Sequence, residues 1–354
     1  MKNARGAVLL PSLEHVVALS DDTGIIQHAV ETIPNRSTGY CTDDVARAFI
    51  VALMRLRAAP RDETAQRLAS TYLSFLHSAQ LEDGRFHNFM SYDRAWLDEV
   101  GTQDSCGRAL WALGFGMRYA PTQAWRRLCR ALFDRGLGAI DAFEFVHPRA
   151  YVILGLGHAY ETLRDTPYAA ATRYLAEQLL DAYRAERADD WEWFGPAMTY
   201  DNGRLPEALI RAGLMLGDAR YTDAGAATLS FYEGVTIQNG TFVPIGNRGW
   251  YERGGPRALY GQQPLEACAL IDAELAAFDA TGDARRLAAA ELGLAWYYGK
   301  NSRAETMAHG GGCYDGLEEN AVNHNMGAES TLALLAGAYA MGERQNRTLR
   351  AINR

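Results

Sequence analysis

The stretch "DSCGRALWALGFGMRYAPTQAWRRLCRALFDRG", residues 104–136, contains two helical segments of different character. In the first, 104–119, small and apolar residues occupy nearly every side, whereas in the second, 122–136, arginines occupy one side. A helix that is apolar on all sides must be buried on all sides, and an amphipathic helix turns its polar side to solvent. Because the connection between them is short, the two helices are expected to pack as antiparallel neighbours. The stretch predicts a helical hairpin with one inner and one outer helix.

The same alternation runs along most of the chain. Further inner segments are predicted at 43–56, 149–163, 204–217, 265–278 and 328–342. Further outer segments are predicted at 62–80, 168–187, 219–234 and 284–299, and a sixth outer helix is expected within 12–33. Alternating strand patterns are confined to places such as 240–246. The sequence therefore predicts an all-α protein, an (α/α)6 toroid of six inner and six outer helices. We expect a single domain over 1–354, with 1–33 contributing the closing outer helix.

Composition restricts the class of function. The chain of 354 residues has a net charge of -8 and lacks a basic run, so we do not expect a nucleic acid partner. No apolar stretch has the length of a membrane span, and polar residues interrupt the N-terminal segment too early for a signal peptide. The five cysteines are far apart and lack metal-ligand spacing, which favours reduced thiols. We therefore expect a cytoplasmic protein without a membrane, metal or cofactor requirement.

Glycines on the inner segments, including Gly114, Gly155 and Gly157, predict a close approach of helix backbones. Gly217, at the end of an inner segment, is included in this prediction.

The connections fall into two classes. Those within a hairpin are short, whereas the segments 81–103, 188–203, 235–264 and 300–327 are long. Long connections in a compact domain usually carry function. All four lead into the N-termini of inner helices, so we expect them to gather at one end of the toroid, which we predict to be the working face.

Acidic residues stand at the start of most inner segments, and Asp44, Asp104, Asp201 and Glu266 are the predicted catalytic residues. Helix capping explains a single Asp or Asn at such a position. It does not explain the surplus, such as Asp43 beside Asp44. One carboxylic acid and one carboxylate flanking a scissile bond are what glycoside hydrolysis requires. A ring of carboxyl groups at the mouth of a toroid therefore favours acid/base chemistry on a sugar.

The same loops and helix starts carry aromatic and hydrogen-bonding side chains that suit a pyranose ring, because flat apolar faces stand beside polar groups. The predicted substrate-binding residues are Asp43, Trp96, Arg108, His147, Trp191, Glu192, Trp193, Tyr200, Asn202, Arg204, Glu207, Trp250, Tyr260, Gln262, Gln263, Asn323, Asn325 and Glu329.

Five motifs carry a resemblance to a known family. They are "TGYCTDDVARA" (38–48), "GTQDSCGRALWALG" (101–114), "WEWFGPAMTYDNGRLPEAL" (191–209), "GQQPLEACALIDA" (261–273) and "NHNMGAESTLALL" (323–335). From about residue 20 to 342 the chain resembles a bacterial family of six-hairpin glycosidase-like proteins associated with family 4 glycosyltransferases. The resemblance implies a carbohydrate-active toroid that handles mannose-containing oligosaccharides and an association with a glycosyltransferase. It also implies an acid directly after the "WEWF" motif, where this chain has Gly195, whereas Glu192 lies between the two tryptophans.

The leading interpretation is a glycoside hydrolase acting on an oligosaccharide, with inversion implied by the resemblance. A carbohydrate-binding or regulatory module working with a glycosyltransferase is an alternative, since it would keep the aromatic residues without using the acids. A phosphorylase is another, and His147, Arg149 and Arg253 would be its phosphate pocket. A sugar epimerase could share the toroid, although epimerases rely on histidine bases. A terpene cyclase would need an acidic motif that this sequence does not contain.

Overall fold

The computed structural model describes residues 11–352, with side chains placed for residues 11–347. The described residues form twelve α-helices. In chain order these are α1 Glu14–Leu19, α2 Thr42–Ala58, α3 Glu63–Ala79, α4 Gln103–Tyr119, α5 Gln123–Leu137, α6 Val146–Leu163, α7 Thr166–Glu186, α8 Arg204–Leu216, α9 Ala219–Thr236, α10 Pro264–Thr281, α11 Ala284–Trp296 and α12 Ala328–Ile352.

The even-numbered helices form a closed inner ring. Helix α2 packs on α4, α4 on α6, α6 on α8, α8 on α10 and α10 on α12, and α12 packs back on α2. Each outer helix from α3 to α11 packs on the inner helix that precedes it in the chain. The predicted (α/α)6 toroid is confirmed.

Helix bounds agree with the sequence prediction to within three residues for ten of the eleven helices from α2 onward. The exception is α12, which the pattern ends at 342 but which continues to Ile352. Gly342 does not end it, because a glycine is tolerated inside a helix at a cost of about 1 kcal/mol. An (i, i+4) ion pair between Glu343 and Arg347 spans the next turn.

The sixth outer position is occupied by a shorter helix than expected. Helix α1 packs on α12 and spans six residues of the predicted region 12–33. The chain turns directly afterwards, because the Asp21 carboxylate accepts hydrogen bonds from the backbone N–H groups of Thr23 and Gly24. Such a local side-chain turn competes with helix continuation.

Twelve strands of two residues each lie in the connections. They are β1 Ala29–Val30, β2 Ile33–Pro34, β3 Tyr40–Cys41, β4 Phe89–Met90, β5 Ala197–Met198, β6 Ile237–Gln238, β7 Thr241–Phe242, β8 Tyr251–Glu252, β9 Ala308–His309, β10 Gly312–Cys313, β11 Gly316–Leu317 and β12 Val322–Asn323. The antiparallel pairs are β1 with β2, β3 with β4, β5 with β8, β6 with β7, β9 with β10 and β11 with β12. The pairs β3–β4 and β5–β8 each join two separate connections. The long connections are thus linked to one another above the N-terminal ends of the inner helices.

The glycine prediction is correct for one helix pair and wrong for two positions. A Cβ added at Gly114 of α4 would lie 2.2 Å from the carbonyl oxygen of Gly155 of α6, so the two backbones are in direct contact. A Cβ at Gly157 would meet no atom within 4 Å. Gly217 ends α8 in the left-handed conformation with φ 65° and likewise has no close neighbour.

Candidate active site

Three arginines lie where the inner helices begin. Arg47 of α2 contacts Glu329 of α12 at 2.7 Å and Asp44 of its own helix at 3.0 Å. Arg108 of α4 contacts Asp43 at 2.8 Å and Asp201, in the connection before α8, at 2.7 Å. These contacts bring the starts of α12, α2, α4 and α8 together.

Arg204, the first residue of α8, continues the chain of contacts. It lies 3.4 Å from Asp201, 2.8 Å from Glu207 and 2.7 Å from Asp272 of α10. The guanidinium also lies over the ring of Trp111, at 4.8 Å from the centroid. We call the three arginines and their acidic partners the polar layer; the acids are Asp43, Asp44, Asp201, Glu207, Asp272 and Glu329.

Asp201 is the most strongly held carboxylate of the polar layer. Its Oδ2 accepts hydrogen bonds from Arg108 at 2.7 Å and from the Tyr151 hydroxyl at 2.9 Å, and only 2 % of the residue is exposed. Burial alone would raise the pKa of Asp201, but Arg108 and Arg204 outweigh it and lower the pKa to about 2. The backbone has φ 49°, an uncommon value for a non-glycine residue that is often found at functional sites.

Glu266 of α10 is equally buried but has no cation beside it. Its carboxyl group accepts hydrogen bonds from the side-chain amide of Asn202 at 3.2 Å and from the Tyr232 hydroxyl at 3.0 Å. Burial and the nearby charge of Asp201 raise the pKa of Glu266 to about 8. Glu266 is therefore expected to be uncharged at neutral pH.

Asp104 lies at the edge of the polar layer and is partly exposed. Its Oδ2 accepts a hydrogen bond of 2.5 Å from the Tyr200 hydroxyl. The Tyr200 ring stacks on the imidazole of His147, with centroids 4.4 Å apart, and Trp250 lies 6.4 Å from Tyr200 on another side. Asp104, His147, Tyr200 and Trp250 therefore form one cluster.

His147 combines burial with a free ring nitrogen. Its Nε2 is buried and has no hydrogen-bond partner. Burial lowers the pKa of His147, although Asp104 and Asp201 oppose this shift, so the neutral imidazole is favoured.

Three acids of the polar layer belong to the first turns of α2 and α12. The side chains of Glu329 and Asp43 are 33 % and 23 % exposed, so both can contact solvent. Burial raises the pKa of Glu329, and Arg47 only partly offsets this. Burial also raises the pKa of Asp44, to about 7.

The structure buries two of the aromatic residues expected to bind substrate. Trp191 and Trp193 are 1 % and 2 % exposed and pack against other aromatic rings of the core, so neither presents a ring face to a ligand. Trp96 is half-buried, and it stacks on His87 at 4.7 Å and packs edge-on against Phe75, so one face of its ring is already covered. Sequence reasoning missed this because a tryptophan in a connection can belong to the core.

Several predicted polar ligands instead hold the connections together. Gln262 is fully buried and accepts a hydrogen bond from the indole of Trp296. Asn325 donates to Asp315 and accepts from the backbone of Ala29. Glu192 accepts a hydrogen bond from Tyr183.

The remaining predicted substrate-binding residues take no part in the contacts described for the polar layer. Asn202 is fully buried beside Glu266, and Gln263 precedes α10 without capping it through its side chain. Asn323 is exposed on β12. Tyr260 lines a separate cavity with Arg248.

The phosphate pocket considered for a phosphorylase is not assembled. Arg149 donates to the backbone oxygen of Phe143, and Arg253 pairs with Asp190 at 3.2 Å. No contact joins either arginine to His147 among the described residues.

Sequence reasoning also missed members of the layer. Arg47 follows Asp43 by four residues, a spacing that places both on one helix face and could have indicated the pair. Asp272 lies in the middle of an inner segment, and Tyr151, which donates to Asp201 of the layer, lies near the start of another; no local pattern distinguishes either from core positions.

A cavity of about 500 Å³ lies along the axis of the ring, with Arg47, Arg108, Asp201 and Arg204 in its wall at one end. It extends away from the long connections, toward the C-terminal ends of the inner helices. Asp44, Asp104, His147, Glu266 and Glu329 are not among its lining residues. The polar layer therefore separates this cavity from the predicted working face.

All five cysteines are buried and unpaired. Among the described residues, no group of three or more His, Cys, Asp or Glu side chains is placed to hold a metal ion. Within residues 11–352, no helix combines the length and apolar character that a membrane span requires.

No protein-family model matches the sequence, and no curated protein is significantly similar to it. Solved structures are similar in fold. A sugar epimerase from a ruminal bacterium superimposes with a TM-score of 0.73 and 11 % identity, covering 94 % of both chains. Cellobiose 2-epimerase from Bacillus thermoamylovorans B4167 has a TM-score of 0.72 at 13 % identity, covering 94 % of this chain and 96 % of that one. The GH76 alpha-mannanase from Bacteroides thetaiotaomicron has a TM-score of 0.67 at 11 % identity, covering 95 % of both. At these identities the likeness shows that the chain has the six-hairpin toroid fold.

Proposed function

We propose that the protein is a carbohydrate-active enzyme, and specifically a glycoside hydrolase whose active site lies at the N-terminal ends of the inner helices. The observation that carries the proposal is a set of partly exposed carboxyl groups in different electrostatic settings at this one end. Glu329 has a raised pKa although it pairs with Arg47, Asp43 is ion-paired with Arg108, and Asp104 accepts a hydrogen bond from Tyr200. A proton donor beside an ionised carboxylate is the arrangement that glycoside hydrolysis uses.

In this proposal Glu329 is the general acid and Asp104 is the carboxylate that activates water. Tyr200 and Trp250, both half-buried beside Asp104, contact the sugar. The burial of Asp201 and Glu266 argues against direct contact with an oligosaccharide, so we assign them, with Asp44, to support of the arginines and of the connection before α8. An inverting outcome, implied by the sequence resemblance, would require about 6.5–9.5 Å between the two catalytic carboxyl groups.

The test is turnover of a panel of manno- and gluco-oligosaccharides by the wild type and by two variants, Glu329→Gln and Asp104→Asn. Each variant is expected to lose at least about 100-fold in kcat, the usual scale for removing a general acid or base, while still binding the glycan. Glu63→Gln is the matched control, because Glu63 is an exposed carboxyl group on outer helix α3. Unchanged kcat in both variants would contradict the assignment of the residues.

The wild-type result separates the alternatives. Calorimetric binding without any product would favour the carbohydrate-binding or regulatory module. Turnover that depends on added phosphate would favour the phosphorylase.

One observation favours a second candidate, a sugar epimerase or isomerase. His147 has a neutral imidazole and an Nε2 without a partner, which suits a base that removes a proton beside a carbonyl group; because Nε2 is buried, this role requires that the stacked Tyr200 ring moves when a sugar binds. Two of the structures similar in fold are epimerases. In D2O, epimerisation would introduce deuterium at C2 of the sugar, whereas hydrolysis would not, and His147→Asn would abolish that exchange.

Two further expectations rest on the sequence. A cytoplasmic location is one, and an association with a glycosyltransferase, which the family resemblance implies, is the other. Both are part of the proposal.

A further inference from the structure

The axial cavity lies outside the proposed active site and has its own chemistry. We call it the lumen. Each of the six inner helices contributes side chains to its wall, most of them three or four residues apart along the helix. Ten residues separate Arg47 from Arg57 on α2, so the lumen is about 15 Å long at the helical rise of 1.5 Å per residue. A volume of about 500 Å³ is within the range of small-molecule sites.

The middle of the lumen is apolar. Its wall there includes Met54, Trp111, Phe115, Leu154, Leu275 and Leu332. No protein atom fills the space beside Gly157 in the same wall, since a Cβ added there would meet none within 4 Å. Apolar surface of this kind is most stable when it is covered by another apolar group.

The outer end of the lumen is basic. Among residues 11–347, six arginines line it, and three acids accompany them, Glu161, Asp279 and Glu343. The arginines are Arg57, Arg118, Arg164, Arg211, Arg344 and Arg347. Six positive and three negative charges leave an excess of three positive charges, although the whole chain carries -8. Two of the acids are shared: Glu343 contacts both Arg57 and Arg347, and Asp279 contacts both Arg211 and Arg344. The third, Glu161, pairs with Arg118, and no acid in the lumen wall is paired with Arg164 among the described residues.

Two further observations reflect the positive charge at this end of the lumen. Burial lowers the pKa of Arg118, and the neighbouring Arg57 and Arg347 lower it further. His158, in the lumen wall, has a buried Nδ1 without a hydrogen-bond partner. Burial and the charges of Arg118, Arg211 and Arg57 lower the pKa of His158 to about 3, so it is neutral.

We propose that the lumen binds an amphiphilic anion, a molecule with a phosphate or carboxylate head and an unbranched alkyl body. The head lies among Arg57, Arg118 and Arg164, where arginine geometry suits both kinds of oxyanion. The alkyl body extends along the apolar wall toward Trp111. A free inorganic anion would leave the apolar middle uncovered, and a neutral lipid would leave the excess positive charge unmatched.

The test is direct binding of three probes to the full chain, by isothermal titration calorimetry below the critical micelle concentration. Dodecyl phosphate carries both features, inorganic phosphate only the head, and dodecanol only the alkyl body. Dodecyl phosphate is expected to bind at least 100-fold more tightly than phosphate and at least 10-fold more tightly than dodecanol. Equal binding of dodecyl phosphate and either single-feature probe would overturn the proposal, as would failure of dodecyl phosphate to bind.

Two variants locate the bound molecule. Arg118→Gln is expected to weaken the binding of dodecyl phosphate about 10-fold. Arg130→Gln, on outer helix α5, is the control and should leave the affinity unchanged. Gly157→Leu fills the lumen at a position with free space, and should weaken binding at least 10-fold without lowering the melting temperature. Unchanged affinity in Gly157→Leu would place the ligand outside the lumen and contradict the proposal. Because binding is measured without a sugar, the outcome is independent of the proposed hydrolase activity.

Discussion

Asp201 and Glu266 show how neighbouring charges determine the state of a buried carboxyl group. Both are almost fully buried, at 2 % and 1 % exposure, and both accept a hydrogen bond from a tyrosine hydroxyl. Asp201 lies against two arginines and has a pKa of about 2, whereas Glu266 contacts only neutral donors and has a pKa of about 8. Burial acts on both in the same direction, so the difference comes from the guanidinium groups beside Asp201 and from the charge of Asp201, which raises the pKa of Glu266.

Replacing Glu266 with Gln should change how stability depends on pH. A carboxyl group with a raised folded-state pKa destabilises the folded protein as pH rises from its unfolded pKa, near 4.3, through its folded value of about 8. Relative to Glu266→Gln, the wild type should therefore lose on the order of 3 kcal/mol of unfolding free energy between pH 5 and pH 8.

Urea denaturation of both proteins at pH 5, 6.5 and 8 measures this change, and other titrating groups cancel in the comparison. A difference that stays constant with pH would mean that Glu266 is ionised in the folded protein.

At the scale of the elements, contacts between helix backbones set the spacing of the inner ring. Gly114 and Gly155 allow α4 and α6 to touch, and α4 and α6 are the most extensively paired helices of the ring. Gly157 is only two residues from Gly155 but faces the lumen. Gly155 is therefore tightly packed against another helix, whereas Gly157 of the same helix has free space beside it.

Alanine at these positions should have effects of opposite sign. Gly157→Ala should raise the unfolding free energy by up to about 1 kcal/mol, because alanine is the better helix former and its methyl group has space. Gly114→Ala gains the same propensity but forces α4 away from α6, and overpacking of this kind costs about 1–3 kcal/mol or more.

The two variants control for each other in thermal or urea denaturation. Equal shifts in the same direction would contradict the direct contact between α4 and α6.

At the scale of the whole molecule, ring closure joins the two ends of the chain. Helix α12 packs on α2 and, on its outer side, on α1. His15 of α1 hydrogen-bonds the backbone oxygen of Met326 at 2.7 Å, directly before α12. The expected single domain over 1–354, closed by residues 1–33, remains a prediction that this contact makes testable.

If α1 closes the ring, its buried side chains should contribute much more to the unfolding free energy than its exposed ones. Leu19 is fully buried and Val17 is 37 % exposed on the same short helix. Leu19→Ala should lower the unfolding free energy by about 2–5 kcal/mol, the range for removing a buried leucine side chain. Val17→Ala is the matched control and should change it by less than about 0.5 kcal/mol.

Denaturant unfolding checks both variants. Similar small effects would mean that α1 is peripheral, and two separate transitions in the wild type would contradict a single domain.

The sequence by itself determined the toroid, because alternation of all-round apolar and one-sided helices is a local pattern that burial enforces. It also determined that polar side chains gather where the inner helices begin. It did not determine the two-residue strands, which are too short to show a period.

Tertiary structure alone decided which side chains meet. Arg204 reaches Asp272 across 68 residues, and Asp201 reaches Arg108 across 93. Tertiary structure also decided that Trp191 and Trp193 belong to the core, and that the axial cavity lies beyond the polar layer. Burial and pairing depend on neighbours that are distant in the chain, and no local pattern carries that information.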